Sequence, residues 1–148
     1  MLAVHGRWKI KVFNNVLIQW FADSWNEEAI IKHVKEFKRA AAPLLGKKWA
    51  IISVFEHWEL GVPAIESHVS EACEWFKLNG CVKDCHVYTS SASKGMQLEK
   101  MIPSSTAGYE RRVFENLDGA ITWLDDEGFH VNEAEVRTEH KLFHKDAA

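Results

Sequence analysis

The residues in this chain best placed to do chemistry sit together in one short stretch. Glu56-His57-Trp58-Glu59-Leu60 follows the apolar run Trp49-Ala50-Ile51-Ile52-Ser53-Val54-Phe55 and leads through Gly61-Val62-Pro63 into a helical pattern. The loop following a parallel strand is where α/β sheets meet their ligands. There His57 with Glu56 or Glu59 could form an acid–base pair, and Trp58 could serve as a stacking wall. The plainer alternative is that Trp58 and Leu60 plug the top of the core while the charges face water. No group in the stretch is a ready nucleophile, and a lone histidine among solvated carboxylates has no cause for a tuned pKa. The stretch 56–60 is therefore expected to be a partner- or ligand-contact surface with no catalytic residue.

Other combinations are weaker. Ser90-Ser91-Ala92-Ser93-Lys94-Gly95 could hold an anion through backbone N–H groups and Lys94, or could simply be a loop whose Ser93 caps a short helix. Ser90, Ser91, Ser93 and Lys94 are carried as a secondary contact loop. His140 and His144 are four apart, so a helical tail places both on one face, and Glu139 could join them as a metal site. Histidines in a charged tail are more often solvated, so neither a metal nor any other cofactor is expected. Nothing in the sequence makes His57, His68 and His86 converge. Cys81 and Cys85 would stand roughly 13 Å apart along a strand at about 3.3 Å per residue, too far for a disulfide. With Cys73 they read as small core residues of a reduced, cytoplasmic protein.

The elements that must position these groups alternate in period. Trp8-Lys9-Ile10-Lys11-Val12 alternates apolar and basic residues, as an edge strand does. Asn14-Asn15 suits a tight hairpin turn, and 16–21 is a second strand, apolar on both faces except at Gln19. Ser24 and Glu27 have the spacing of a capping box. Ile30, Val34, Phe37, Ala41 and Leu44 then follow at steps of four, three, four and three, the core stripe of a helix. Strand three is 49–55. Helix two carries Ile65, Val69, Ala72 and Phe76 and ends at Asn79-Gly80. Strand four lies within 81–89, a short helix spans 96–102, strand five is 112–114, and Leu117, Ala120, Ile121 and Leu124 mark a fourth helix. Residues 130–148 are polar and weakly patterned, a tail or a short appended helix.

The expected order is β-β-α-β-α-β-α-β-α: a mixed, mostly parallel five-stranded sheet with about four helices, one domain over 1–129. Right-handed crossovers between sequential parallel strands place the intervening helices on one face. Strand three is apolar on both faces, so the second face must be covered by another helix, by the tail or by a second subunit. Seven tryptophans in 148 residues imply either a heavy core or an interface. Together these features lead to the expectation of a two-fold homodimer.

Composition narrows the function classes. The chain is 47% hydrophobic and 26% charged, as a globular domain is, and a net charge of −3 supplies no basic footprint for nucleic acid. No apolar run approaches membrane-spanning length, and Arg7, Lys9 and Lys11 interrupt the start of the chain where a secretory leader would be apolar.

The order of elements resembles the SpoIIAA-like, or STAS-like, fold. The details are similar to a little-characterised bacterial group within or near it, in Ser24-Trp25-Asn26-Glu27, in Trp58-Glu59-Leu60-Gly61-Val62-Pro63, in Met101-Ile102-Pro103, and in Arg111-Arg112-Val113-Phe114-Glu115 continuing to Trp123-Leu124. The resemblance spans roughly residues 8–129. It implies a non-enzymatic protein–protein switch. In anti-sigma-factor antagonists of this fold, a Ser or Thr at the start of the helix after the central strand is phosphorylated. The matching turn here, 58–64, has no hydroxyl, and the nearest, Ser67, lies a turn into the helix. The resemblance therefore implies an interaction or regulatory domain without that switch. The alternative is a binding domain for a small apolar or amphipathic ligand near Trp58. An enzyme built on His57 and its neighbouring carboxylates is the most distant reading. A deep pocket beside 56–63 favours the ligand; a flat apolar patch favours the protein partner.

Overall fold

The computed structural model describes residues 3–89, 92–102 and 104–147. In chain order the elements are β1 (Arg7–Phe13), β2 (Val16–Trp25), α1 (Glu27–Ala41), a 3-10 turn (Ala42–Leu44), β3 (Trp49–Gly61), α2 (Ile65–Leu78), β4 (Cys81–Val87), α3 (Ala92–Met101), β5 (Glu110–Phe114), α4 (Leu117–Asp126) and α5 (Glu133–Ala147). The strands form one sheet in sequential order, β1 antiparallel to β2 and the rest parallel. Asn14 takes the positive φ (55°) that the β1–β2 hairpin requires.

The alternation of side chains along β2 sorts the interior into two layers. Leu17 and Phe21 point into one, with Trp25, Phe37, Trp49, Ile51 and Phe55. Val16, Ile18 and Trp20 point into the other, with Ile52, Val54, Leu117 and Leu124. Helices α1, α2 and α3 cover the first face, as right-handed crossovers dictate. The second face is covered by α4 and α5 of the same chain: Val136 and Phe143 of α5 are buried in its core. Among the described residues there are therefore five α-helices, where about four were expected from periodicity.

Two local expectations are corrected. Ser24 and Glu27 do not form a capping box. The β2 strand continues to Trp25 because Asp23 and Trp25 remain paired with Trp58 and Gly61 of β3, across a second register shift. The cap moves to Asn26, whose side chain accepts the Ala29 N–H at 3.1 Å. Ser24 instead donates to Glu59 (3.0 Å), and Glu27 pairs with His68 (2.8 Å). Likewise most of 56–63 is strand rather than loop, since β3 runs to Gly61 against that extension of β2.

The tryptophan excess lies in the core. Trp20, Trp25, Trp49 and Trp58 are buried, and Trp8, Trp75 and Trp123 are half-buried. Trp25 donates its indole N–H to the Ala22 carbonyl, Trp49 to the Asn79 carbonyl and Trp8 to Glu36, so these rings find their polar partners within the chain.

Candidate functional site

A row of polar residues crosses the middle of the first face. Gln19 on β2, Ser53 on β3 and His86 on β4 are neighbours in register. Each occupies a position where strand alternation calls for an apolar side chain, and each is buried. Asp84, two residues before His86, points the same way and is only 2% exposed. His33 of α1 closes over the row.

The hydrogen bonds have a direction. Gln19 Nε2 donates to Ser53 Oγ (2.9 Å), which leaves Gln19 Oε1 to accept from His33 Nε2 at 2.8 Å. The His33 proton is thereby assigned to Nε2, and its Nδ1 is a buried acceptor with no partner. Burial lowers the His33 pKa to about 3, so the ring is neutral at physiological pH. His86 Nε2 faces Asp84 Oδ1 at 3.4 Å, and its Nδ1 is buried without a partner among the described residues. Tyr109 donates its hydroxyl to Asp84 Oδ2 at 2.6 Å, and burial together with the Asp84 charge pushes that phenol far up.

Between this polar floor and the helices is a chamber of about 70 Å³. Its walls include Phe21, Phe55, Trp58, Ile65 and Leu98. The polar groups of the floor bond to one another rather than to an activated nucleophile. Ser53 Oγ is held by Gln19, and His86 Nδ1 has no hydrogen-bond partner among the described residues, so the imidazole does not hold the hydroxyl as a serine–histidine–aspartate relay requires. The Cys73 thiol at the chamber wall is pushed up by burial and then by Asp84, away from the thiolate a nucleophile needs.

A shift in the β2–β3 ladder divides the expected contact stretch between the two faces. Trp20 pairs with Val54 and Ala22 with His57, so β3 spends three steps where β2 spends two. Phe55 and Trp58 consequently both point into the first layer with two residues between them. Those two, Glu56 and His57, meet α5. Glu56 Oε1 lies 3.2 Å from His144 Nε2 and 3.5 Å from His140 Nε2, and the His57 ring packs edge-on against His144. Trp58 is 3% exposed and belongs to the chamber wall, whereas Glu59 and Leu60 are exposed.

Lys94 ties the secondary loop to the same place: its ammonium donates to the carbonyls of Phe55 (2.9 Å) and Glu56 (3.3 Å). Burial lowers its pKa. Ser90 and Ser91 lie outside the described residues, and Ser93 falls in the first turn of α3. His57, His68 and His86 do not converge: His57 contacts α5, His68 pairs with Glu27, and His86 sits beneath the first layer. The polar row itself was not picked out from sequence. Its signal was present in Gln19, Ser53 and His86, each a polar residue inside an otherwise apolar strand.

No protein family model matches the chain, and no curated protein does. Solved structures do. An uncharacterised protein of the DUF3478 family from Shewanella loihica PV-4, with a SpoIIAA-like fold, superposes with a TM-score of 0.55 at 11% identity. The match covers 84% of this chain and 97% of that one. The chain has a SpoIIAA-like fold. The anti-sigma factor antagonist SpoIIAA in its unphosphorylated form is also matched, at a TM-score of 0.46 and 12% identity, over 68% of this chain and 91% of that one. In a SpoIIAA-like sheet of this order, the polar row lies on the three strands β2, β3 and β4 at its centre. Among the described residues, no helix is long and apolar enough to cross a membrane.

Proposed function

We propose that this SpoIIAA-like chain is a non-enzymatic binding domain that takes a small, largely apolar molecule into the chamber beneath α1, α2 and α3. One observation carries the reading. An apolar chamber is floored by two buried imidazole acceptors, His33 Nδ1 and His86 Nδ1, that lack partners among the described residues. Leaving such atoms unpaired costs about 1–3 kcal/mol each, so water or a ligand donor completes them. An engineered apolar cavity that binds benzene measures about 150 Å³. The chamber is half that, which suits a molecule of a few heavy atoms or the head of a longer one. The unpaired groups are acceptors beside the Asp84 carboxyl, which favours a neutral head bearing O–H or N–H over an anion.

The expected homodimer rested on an uncovered sheet face and on the tryptophan count, and both are accounted for within one chain. We therefore take the single chain as the binding unit. The protein-interaction reading keeps one specific support: Leu60 and Val62 stand exposed (42% and 45%) at the end of β3. They offer an apolar edge that a partner could cover.

The test is an NMR titration of isotope-labelled protein with short-chain alcohols and alkylphenols, matched by the corresponding carboxylic acids. Saturable shifts at Ser53, Phe55, His86 and Leu98, stronger for the alcohols, are expected. The cavity-filling variant Ala72→Leu should abolish them while keeping the fold. Shifts confined to Leu60 and Val62, or identical in the filled variant, would reject the chamber as the site.

A further inference from the structure

The second face holds a cluster for which the chamber has no use. Glu56 on β3 and His140 and His144 on α5 each present one donor atom, and the three atoms lie within 4.8 Å of one another. We propose that these residues form a binding site for a divalent transition ion of the zinc, nickel or copper class. The spacing fits. Ligands at bond lengths of about 2.0–2.1 Å around a tetrahedral ion stand roughly 3.3 Å apart. The Glu56 oxygen lies 3.2 Å from His144 Nε2 and 3.5 Å from His140 Nε2. The two histidines are one helical turn apart on α5, and Glu56 continues the alternation of Ala50, Ile52 and Val54 on the face that α5 covers. Two imidazoles with one carboxylate select borderline ions over magnesium or calcium.

The surroundings bear on affinity in both directions. Burial, reinforced by His144, lowers the pKa of His140 and keeps its ring in the neutral form that ligation needs. The His57 ring lies 4.4 Å from that of His144, and its Nε2 is buried without a partner among the described residues, so it stands beside the site as a polar group that an ion-bound water could meet. Against this, Trp20 Nε1 donates to His140 Nδ1 at 3.1 Å, which places the ring proton on Nε2, the atom the ion would take. Ligation moves that proton to Nδ1 and deprives the indole of its acceptor. The hydrogen bond lost weakens binding by roughly tenfold to a hundredfold. A three-ligand site so taxed belongs in the micromolar range.

Calorimetric titration of the full chain with zinc chloride and with nickel sulfate at pH 7.5 tests this. One ion per chain is expected, with a Kd of roughly 1–100 µM. His144→Ala and Glu56→Gln change half-exposed side chains and should each weaken binding at least tenfold, with circular dichroism confirming that both variants are folded. Trp20→Phe removes the competing donor and should tighten binding about tenfold. No binding up to about 1 mM, or wild-type affinity in both ligand variants, would overturn the site. Unchanged affinity in Trp20→Phe removes His140 and overturns the three-ligand set.

Discussion

Replacing Trp58 by alanine separates a core wall from an exposed contact. Trp58 is 3% exposed, packs edge-on against Phe55 with ring centroids 5.6 Å apart, and lines a chamber that already holds about 70 Å³ of empty space. Removing the indole enlarges that chamber rather than allowing it to collapse, so the cost falls in the range for buried Trp→Ala, about 3–5 kcal/mol. An unfolding entropy of about 2.1 cal/mol/K per residue over this chain gives roughly 300 cal/mol/K, or about 3 °C of Tm per kcal/mol. The expected fall is therefore about 10–15 °C, measured by circular dichroism on a chain whose native far-ultraviolet spectrum is unchanged. Glu59→Gln, one residue on and exposed, should stay within about 0.5 kcal/mol of wild type. A Trp58→Ala fall of less than about 3 °C would mean that the ring is not buried as described, and the chamber wall would be wrong with it.

Three further outcomes are expected. His33 has a pKa of about 3 in the folded chain against 6.5 when unfolded, so its contribution is complete above pH 6.5 and is lost as pH falls from 6.5 toward 3, at up to about 1.4 kcal/mol per unit. His33→Gln keeps a donor for Gln19 but cannot charge, and urea titrations from pH 7 to pH 4 should show a flatter profile; parallel profiles would count against a buried neutral His33. Tyr109→Phe leaves Asp84 Oδ2 buried without its hydroxyl partner and should cost about 1.5–3 kcal/mol in chemical denaturation, a loss that an exposed or water-bridged Asp84 would not show. Ending the chain after residue 130 uncovers the second face where Val136 and Phe143 now pack, and the truncated chain should bind a hydrophobic dye or self-associate; a stable monomer of unchanged Tm would make α5 an accessory to a domain complete by residue 129.

The strands and the first-face helices were legible because their burial is periodic. The steps of Ile30, Val34, Phe37 and Ala41 predict α1, and Trp49 to Phe55 predicts the centre of β3. Helix α5 was harder to read because a helix anchored through few apolar residues leaves a faint stripe. Val136 and Phe143 are its buried apolar side chains, and it is also held by polar contacts: Glu139 with Lys9 and Lys11, and His144 with Glu56. Those lysines looked like a solvated edge because their partner is far off in sequence, 128 residues from Lys11. The end of β3 was misplaced for a related reason. Glu56-His57 interrupts the apolar run, and only the pairing of β2 beyond Trp20 shows that the backbone continues as strand.

The bulge in β3 is the feature that no reading of side-chain types could supply, and it determines which layer Trp58 enters. In a regular strand, Glu56 and Trp58 would share the second face with Ile52 and Val54, and the tryptophan would be lost from the chamber wall. The added residue breaks that parity. It returns Trp58 to the layer that contains Phe55, while Glu56 keeps the direction of Ile52 and Val54, toward the histidines of α5. A bulge frees backbone groups from the ladder, and Lys94 of α3 donates to two carbonyls at this point, Phe55 and Glu56. The chamber and the histidine cluster thus lie on opposite faces of the sheet yet share one irregular strand, braced by one ammonium. A ligand that moves Trp58 and an ion that draws on Glu56 would both act on the same few backbone atoms. If the two sites bind as proposed, this shared segment is the place where they can be coupled.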